Sequence, residues 1–344
     1  MTRRILEIDS GVAAGYATQV LTTVGWSVTK VILGGINSLS GMESRWGGGT
    51  GGASAFLDKN KRVVDSNKFD ILLNSQDFDV VIGDFSERNL QQFELPASAF
   101  NSLKVGCSVI SLTSFGLDQP LSNRPHADLI LQAASSLLYL TGEHHQAPQQ
   151  LPPYTAEMSG GLAASSAVIA AVRAHRLDKQ VRRIDLSIVE ALAIHSFTQS
   201  ASYVHRGEIA RREPEVKEGL RVVPTFDGYV YCAPGATASM RMDGLADLIN
   251  EPRLKNEKFQ TAEGRKNNYE EFVNLFVPPF KELSAMEWFL RAEELHLTFS
   301  LIRTIDELFS CEQLNERDIW AKINTSTGDT VRIPGVPFFT EPEF

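Results

Sequence analysis

The sequence predicts an α/β protein with a Rossmann-like large domain, built on a mostly parallel sheet, and a smaller α/β domain. Strand-like apolar runs alternate with helix-like segments through the first two hundred residues, as is typical of parallel strands joined by helical crossovers. A charged segment at 206–220 separates this region from a second set of strand-like and helical patterns. At 344 residues, the chain is long enough for two domains.

Each element of the large domain is indicated by a local pattern. The strand candidates are short apolar or β-branched runs, namely 4–9, 28–33, 80–82 and 104–112. Helices are predicted at 13–24 and 184–196, and 160–175 combines small with apolar residues at a spacing that suits close helix packing. In the second region, a turn and strand at 226–232 precede helices with charged faces at 240–250, 268–276, 285–294 and 304–310. These patterns predict a large domain over 1–205, a linker over 206–221 and a small domain over 222–325.

Composition narrows the class of protein. With a formal net charge of −9, the chain lacks the global basic field that nucleic acid or an anionic membrane would select. No apolar run reaches about 18 residues and no signal-peptide pattern opens the chain, so we expect neither a membrane span nor a secretion signal. Cys107, Cys232 and Cys311 are widely spaced and are interpreted as reduced thiols. These features predict a cytoplasmic protein without nucleic-acid or membrane partners.

A glycine-rich loop covers 34–53 and contains eight glycines. Gly47, Gly49 and Gly52 fit the spacing G-x-G-x-x-G, but the match comes well after the strand at 28–33 instead of directly following it. The dinucleotide-binding fingerprint therefore lacks its structural context. Two interpretations stay open: a flexible surface loop, or a mobile lid that approaches phosphate.

Short segments follow one another in a recognisable order along most of the chain. They are Ile5-Leu6-Glu7-Ile8-Asp9, Val12-Ala13-Ala14-Gly15, Lys59-Asn60-Lys61-Arg62, Val80-Val81-Ile82-Gly83-Asp84-Phe85, Ser114-Phe115-Gly116, Ala156-Glu157-Met158-Ser159-Gly160-Gly161 and Arg183-Ile184-Asp185-Leu186-Ser187. This series resembles the class III CoA-transferases, the carnitine dehydratase/bile-acid-inducible group. The resemblance implies an interlocked dimer, either a homodimer or a pair with a close relative. It also implies that 326–344 returns towards the large domain.

Glu157 occupies the position at which the resembled family has a nucleophilic Asp. A carboxylate there can attack an acyl-CoA thioester and carry CoA to a second carboxylic acid. The expected place of Glu157 at a helix start, with Gly160 and Gly161 nearby, suggests that backbone N–H groups stabilise an oxyanion. From the residues alone, the favoured interpretation of Glu157 is an ordinary acid at a helix N-terminus, stabilised by the helix dipole. The resemblance thus implies a CoA-transferase acting on an acyl-CoA and a small carboxylic acid.

The resemblance further implies that coenzyme A, bound as substrate, lies near Lys30, Lys61, Arg62 and Phe85. Positive charge and forked donors suit its phosphates. The family segment Asn-Phe-Arg-Pro-Gly is replaced by Asp84-Phe85-Ser86-Glu87-Arg88, in which Arg88 is a candidate for the missing arginine. Scattered surface cations and a core phenylalanine are the alternatives at these positions. Ser114-Phe115-Gly116 is expected to form a tight turn at the carboxyl end of a strand, where open α/β sheets bind ligands.

Single residues argue for or against other functions. The racemases of this superfamily use a His directly before an Asp, but Ala127 precedes Asp128 here and His126 is one residue away, so racemase activity is disfavoured. His144 and His145 have no metal-ligand spacing to an acid or Cys cluster, and no metal is expected. The Glu at position 157 leaves alternatives open: a non-catalytic partner subunit, an acyl-CoA isomerase or lyase, or a CoA-ester-binding protein.

Overall fold

A computed structural model describes residues 2–8, 11–33, 38–39, 52–65, 72, 78–94, 107–124, 127–143, 145–212, 222–232, 242–325, 328–335 and 337. Its contacts divide the chain into two compact units. The first comprises Met1–Gly142, Pro148–Ala210 and Arg317–Phe344, and the second comprises Glu143–Ala147 and Arg211–Glu316. Most of the glycine-rich loop lies outside the described residues, so its two interpretations stay predictions.

Six parallel strands form the sheet of the first unit: β1 Arg4–Ile8, β2 Ser27–Ile32, β3 Lys61–Asp65, β4 Val80–Gly83, β5 Ser108–Thr113 and β6 Arg183–Ser187. Their order is β3-β2-β1-β4-β5-β6, and every neighbouring pair is parallel. The order reverses between β1 and β4, as in doubly wound dinucleotide-binding folds. The predicted α/β fold with a mostly parallel sheet is confirmed.

The helices of the first unit are α1 Val12–Thr23, α2 Gly52–Leu57, α3 Glu87–Gln92, α4 Asp128–Ala134, α5 Leu137–Leu140, α6 Thr155–Asp178, α7 Ile188–Ala193 and α8 Phe197–Arg206. β4 and β5 are buried along their whole length, because apolar clusters cover both faces of the sheet. α1, α4, α6 and α7 contribute to the cluster on one face. The apolar strand runs thus form the centre of the sheet, as expected for parallel strands.

α6 is a core helix with 24 residues. Within the described part of the chain, it is the one helix that is long and apolar enough to span a membrane by length and composition. Ala164, Val168 and Ala171 on this helix are buried in the main apolar cluster. A Cβ on Gly161 would lie 2.6 Å from the carbonyl oxygen of Ala13 in α1. Only a residue without a side chain permits that approach, so α6 is built to pack against α1.

The second unit contains a three-stranded antiparallel sheet of β7 Val222–Pro224, β8 Tyr229–Cys232 and β9 Phe299–Leu301. Its helices are α9 Met242–Leu248, α10 Ala262–Asn267, α11 Tyr269–Phe280, α12 Ala285–Glu294, α13 Ile305–Phe309 and α14 Glu312–Glu316. An aromatic core holds it together, formed by Phe259, Phe272, Phe276, Phe280 and Trp288. Burial of several large rings dominates the stability of such a unit.

A final hairpin moves one predicted boundary. β10 Trp320–Asn324 pairs antiparallel with β11 Thr330–Pro334, and both strands belong to the first unit. The sequence analysis placed 317–325 in the small domain, but the ladder of this hairpin keeps β10 with β11. The predicted linker at 206–221 also divides between the units, with 206–210 in the first and 211 onwards in the second.

Candidate active site

Glu157 lies in the first turn of α6, at the carboxyl edge of the parallel sheet. α6 is the last helix before β6, so it runs back along the sheet and begins at that edge. A Cβ on Gly160 would lie 2.8 Å from Ile188, which directly follows the last residue of β6. The first turns of α6 are therefore beside the carboxyl end of β6, where open α/β sheets hold ligands.

The start of α6 is capped by a residue from another helix. Its own N-cap residue, Tyr154, has a left-handed backbone with φ of 66° and makes no side-chain cap. Asp128 of α4 supplies the cap instead, because its Oδ1 accepts from the N–H groups of Ala156 at 2.9 Å and Glu157 at 3.3 Å. Two donors that would otherwise be unsatisfied at the helix end thus gain a carboxylate partner.

Asp128 is itself held in place by Gln132 in the next turn of α4. The Nε2 of Gln132 donates to Asp128 Oδ2 at 2.6 Å, and its Oε1 accepts from the N–H of Leu151 at 2.8 Å. The same amide therefore fixes the capping carboxylate and the chain that leads into α6. This arrangement determines the position of the first turn and of Glu157.

Burial raises the pKa of Glu157 to about 7, and the negative charge of Asp128 adds to the effect. Loss of solvation disfavours the ionised form, and a neighbouring carboxylate acts in the same direction. Near neutral pH, the side chain is divided between protonated and ionised forms. A weakly solvated carboxylate with such a pKa has the character required of a nucleophile at a thioester carbonyl.

Gly160 and Gly161 lie beyond the unsatisfied donors of the first turn. Their N–H groups fall within the regular i to i−4 hydrogen-bond ladder of α6. Each glycine instead allows a close contact, with Ile188 in one case and with the α1 backbone in the other. The expectation that they stabilise an oxyanion does not fit these positions, because that role needs free N–H groups.

Lys30 and Lys61 belong to a buried lysine–carboxylate cluster with Glu7 and Asp58. Lys61 Nζ lies 2.8 Å from Glu7 Oε2, and Lys30 Nζ lies 3.0 Å from Asp58 Oδ1. Both lysine side chains and Glu7 have 0% exposure. Burial lowers the pKa of Lys61, and the attraction of Glu7 opposes that effect.

The lysine–carboxylate cluster also connects secondary-structure elements. Lys61 Nζ in β3 donates to the carbonyl oxygen of Gly15 in α1 at 2.8 Å, and Thr18 Oγ1 donates to Glu7 Oε2 at 2.5 Å. In this arrangement, both lysine ammonium groups face carboxylates. Arg62, the next residue along β3, is exposed. Contact of Lys30, Lys61 and Arg62 with CoA stays a prediction.

Phe85 and Arg88 line different cavities. Phe85 lines a cavity of about 650 Å³, together with three acids, Glu87, Asp118 and Asp185, and one base, Arg183. That balance of charge does not suit a phosphate. Arg88 is exposed and lines a cavity of about 110 Å³ at the carboxyl edge of the sheet.

Four further positions, together with the metal-ligating residue types, were considered for other roles. Ala127 is the N-cap residue of α4, directly before Asp128, whereas His126 and His144 lie outside the described residues. Among the described positions, no group of three or more His, Cys, Asp and Glu side chains is arranged to hold a metal ion. Asp185 accepts from the N–H of Leu117 at 2.9 Å, so it fixes the turn after β5.

Sequence reasoning missed two groups at this edge, Asp128 as the cap of α6 and Arg124 beside Arg88. Asp128 was considered only as the neighbour of an absent histidine. Asp128 caps α6, a separate helix further along the chain, and no local sequence pattern connects the two. The signal that could have identified Arg124 is its position a few residues after Ser114-Phe115-Gly116, the segment expected at the ligand-binding edge.

Known proteins share both the sequence pattern and the fold. Residues 2–343 match the model of CoA-transferase family III. An acyl-CoA transferase of Fusarium pseudograminearum is 26% identical over 336 residues, which cover 92% of this chain and 73% of the relative. The succinyl-CoA:glutarate CoA-transferase of Mus musculus is 23% identical over 353 residues, which cover 96% and 78%. The crystal structure of a CAIB/BAIF family protein from Brucella suis has a TM-score of 0.86 at 18% identity, covering 99% and 92% of the two chains.

The doubly wound parallel sheet, with Glu157 at its carboxyl edge, places the chain in the α/β class of proteins. The chain belongs to CoA-transferase family III. It is a CoA-transferase, an enzyme that moves CoA between an acyl-CoA and a carboxylic acid. The predicted family, fold and class of activity are confirmed.

Proposed function

We propose that Glu157 is the covalent nucleophile of this CoA-transferase. The observation that carries the proposal is the carboxylate with a pKa of about 7 in the first turn of α6. Its position is fixed by the Asp128 cap on the backbone of the same turn. Placement of a reacting group to within about 1 Å matters, because a misplacement of that size costs on the order of 10²-fold in rate.

The reaction consists of four acyl transfers. The ionised Glu157 attacks the acyl-CoA carbonyl, which gives a mixed anhydride and releases CoA thiolate. The thiolate attacks the glutamyl carbonyl, which releases the first acid and leaves a glutamyl-CoA thioester. The acceptor carboxylate attacks this thioester, forming a second anhydride and again releasing the thiolate. The thiolate then attacks the acceptor's carbonyl, which yields the new acyl-CoA and restores Glu157.

The acceptor is a small carboxylic acid, and the enzyme acts in the cytoplasm as an interlocked dimer, either a homodimer or a pair with a related chain. Support for a partner comes from the first unit, in which α8 and the residues before it carry exposed apolar side chains. Ile194, Phe197 and Val204 are 70%, 68% and 76% exposed. Large apolar side chains exposed close together in sequence are the kind of surface that a partner chain would cover.

Mass spectrometry after incubation with succinyl-CoA tests the proposal, since only a nucleophilic Glu157 gives a CoA adduct at that residue. Glu157→Ala is expected to abolish both the adduct and turnover. Glu157→Asp separates two geometries: activity falls by about 10²-fold if the site is adapted to the longer side chain, and is kept or raised if the site retains the usual family geometry.

Glu263→Ala, at an exposed position in the second unit, is the matched control and should leave turnover unchanged. Acyl-CoA binding without exchange to any acid, unaffected by Glu157→Ala, would contradict the proposal. That result would favour a non-catalytic partner subunit.

A further inference from the structure

A small cavity of about 110 Å³ lies at the carboxyl edge of the sheet, where β4 and β5 end. Its lining includes Asp84 after β4, Arg88 in α3, Ser114 after β5 and Arg124 in the following turn. We refer to these four residues as the arginine pocket. This is the edge at which α6 begins, so the arginine pocket and Glu157 share one edge of the sheet.

The arginine pocket has a net positive charge in a chain whose total charge is −9. Arg88 and Arg124 are both exposed, and in the described part of the chain neither guanidinium forms an ion pair. Asp84 is the single acid, and its Oδ1 already accepts from the N–H of Ser86 at 2.9 Å. Two forked cations are thus available to an anion.

Ser114 adds a buried hydroxyl without a partner. The residue is 5% exposed, and its Oγ makes no hydrogen bond. Its backbone is fixed, because its carbonyl oxygen accepts from the N–H of Val189 at 3.1 Å and from Ser187 Oγ at 3.4 Å. A buried polar group left unsatisfied is costly, so a ligand oxygen at this position would gain the missing hydrogen bond.

The elements that carry the two arginines are held together by Asn123. Its Oδ1 accepts from the N–H of Arg88 at 3.2 Å, and its Nδ2 donates to Glu87 Oε2 at 3.2 Å. Asn89 anchors the same helix, because its Nδ2 donates to the carbonyl oxygen of Asp84 at 2.8 Å. The backbone segments that carry Arg88 and Arg124 are therefore held together by hydrogen bonds within the protein.

We propose that the arginine pocket binds the remote carboxylate of a dicarboxylic acid substrate. A volume of about 110 Å³ equals roughly three to four waters at ~30 Å³ each, enough for a carboxylate but not for a nucleotide. This inference rests on Glu157 as the reacting group. One carboxylate exchanges CoA through Glu157, and the second is held by Arg88, Arg124 and Ser114.

Calorimetry with glutarate and pentanoate, two acids of equal carbon number, tests the second carboxylate directly. Glutarate should bind at least about 10-fold more tightly to the wild-type protein, since only glutarate presents a second anion. Arg88→Gln and Arg124→Gln should each weaken glutarate binding by about 10-fold and leave pentanoate unchanged. Ser114→Ala should have a smaller effect in the same direction. Arg173→Gln, at an exposed position late in α6, is the matched control.

Equal affinity for glutarate and pentanoate, or full glutarate affinity in both arginine variants, would overturn the proposal. A phosphate of CoA is the other anion that would suit the pocket. Calorimetry of CoA and dephospho-CoA with the same arginine variants tests this alternative. If the arginine variants weaken CoA but not glutarate, the pocket holds a CoA phosphate and the dicarboxylate proposal is wrong.

A Glu157→Gln variant separates this inference from the proposed nucleophile. It should lose transfer and keep arginine-dependent glutarate binding. If wild-type protein shows no transfer while glutarate binding depends on Arg88 and Arg124, the arginine pocket stands and the nucleophile fails. If the wild type and both arginine variants transfer CoA equally fast to pentanoate and glutarate, and only Glu157→Gln loses transfer, the nucleophile stands and the arginine pocket fails.

Discussion

Two charged regions of the first unit differ in how their charged groups are paired. The lysine–carboxylate cluster of Glu7, Lys30, Asp58 and Lys61 is buried, and its opposite charges lie 2.8–3.0 Å apart at the closest contacts. The carboxyl edge of the sheet carries Glu157, whose backbone is capped by the like-charged Asp128. It also carries two arginines that have no ion pair among the described residues.

The comparison shows that pairing, rather than charge itself, separates structural from functional ionisable groups. Lys61 binds Glu7 and the backbone of α1, so its charge is used within the protein. Glu157 has a cap on its backbone, but in the described part of the chain its carboxylate forms no ion pair, and burial together with the charge of Asp128 raises its pKa. Perturbed groups of the second kind cluster at functional sites.

The largest expected effect is the loss of stability on breaking the lysine–carboxylate cluster. Lys61→Met should lower the free energy of unfolding by about 3–5 kcal/mol, because the fully buried Glu7 then loses its closest cationic partner. Urea denaturation measures the change. Lys322→Met, at an exposed position in β10, should be close to neutral. The double change Glu7→Gln with Lys61→Met should recover part of the loss.

The same variant tests whether Lys61 also binds CoA. If Lys61 is structural, folded Lys61→Met protein should keep most of its affinity for CoA in calorimetry. A variant of unchanged stability with a large loss of CoA affinity would reverse the comparison, since Lys61 would then be a phosphate ligand.

Local sequence patterns predicted the strands and the fold. They could not predict the roles of individual charged residues, because those roles depend on contacts between residues far apart in sequence. The runs at 28–33 and 80–82 became β2 and β4 because buried parallel strands are apolar on both faces. Lys61 and Arg62 were interpreted as a basic motif, whereas the structure makes them the start of β3. Lys61 is buried because Glu7 in β1 neutralises it, and that pairing leaves no mark in the local sequence.

The candidate site shows the same division. The helix start at Glu157 was predicted from its own segment and its family resemblance. Asp128 caps α6 from a different helix, and Arg88 and Arg124 line the same cavity from separate segments. Both arrangements depend on how distant segments pack at the edge of the sheet. Such packing is tertiary, so residue types and spacing could not reveal it.

Replacing the carboxylate of Glu157 is expected to change the free energy of unfolding by a smaller amount. The folded protein raises the pKa of Glu157 from 4.5 to about 7, so between those values the folded state holds a proton that the unfolded state has lost. Stability of the wild type therefore falls as pH rises through that window and is fully reduced above it. Glu157→Gln should be more stable than the wild type by roughly 1–3 kcal/mol at pH 8, with little difference at pH 4.5.

Urea denaturation at the two pH values measures this difference. Glu263→Gln, at an exposed position, should show a small offset that does not change with pH. A Glu157→Gln variant that is less stable than the wild type at pH 8 would show that the carboxylate is well solvated or paired, and the contrast between the two regions would be lost.

The smallest effect concerns Asp128, the second cause of the raised pKa. The acid limb of kcat/KM against pH should rise with ionisation of Glu157, with a midpoint at about 7. Asp128→Asn removes a negative charge beside Glu157 but keeps a side-chain oxygen for the N–H groups of Ala156 and Glu157. The midpoint should therefore move to lower pH while staying above 4.5, because burial, the larger cause, is unchanged.

Asp318→Asn, at an exposed left-handed position that asparagine tolerates, is the control for the same change of charge and should leave the midpoint in place. A midpoint that stays fixed in Asp128→Asn would mean that burial alone sets the pKa of Glu157, and Asp128 would then only cap α6. A midpoint that moves upwards would show that the weaker cap of a neutral amide lets Glu157 become more deeply buried. Either outcome would remove like-charge repulsion from the description of this edge and leave desolvation as the property that distinguishes it from the lysine–carboxylate cluster.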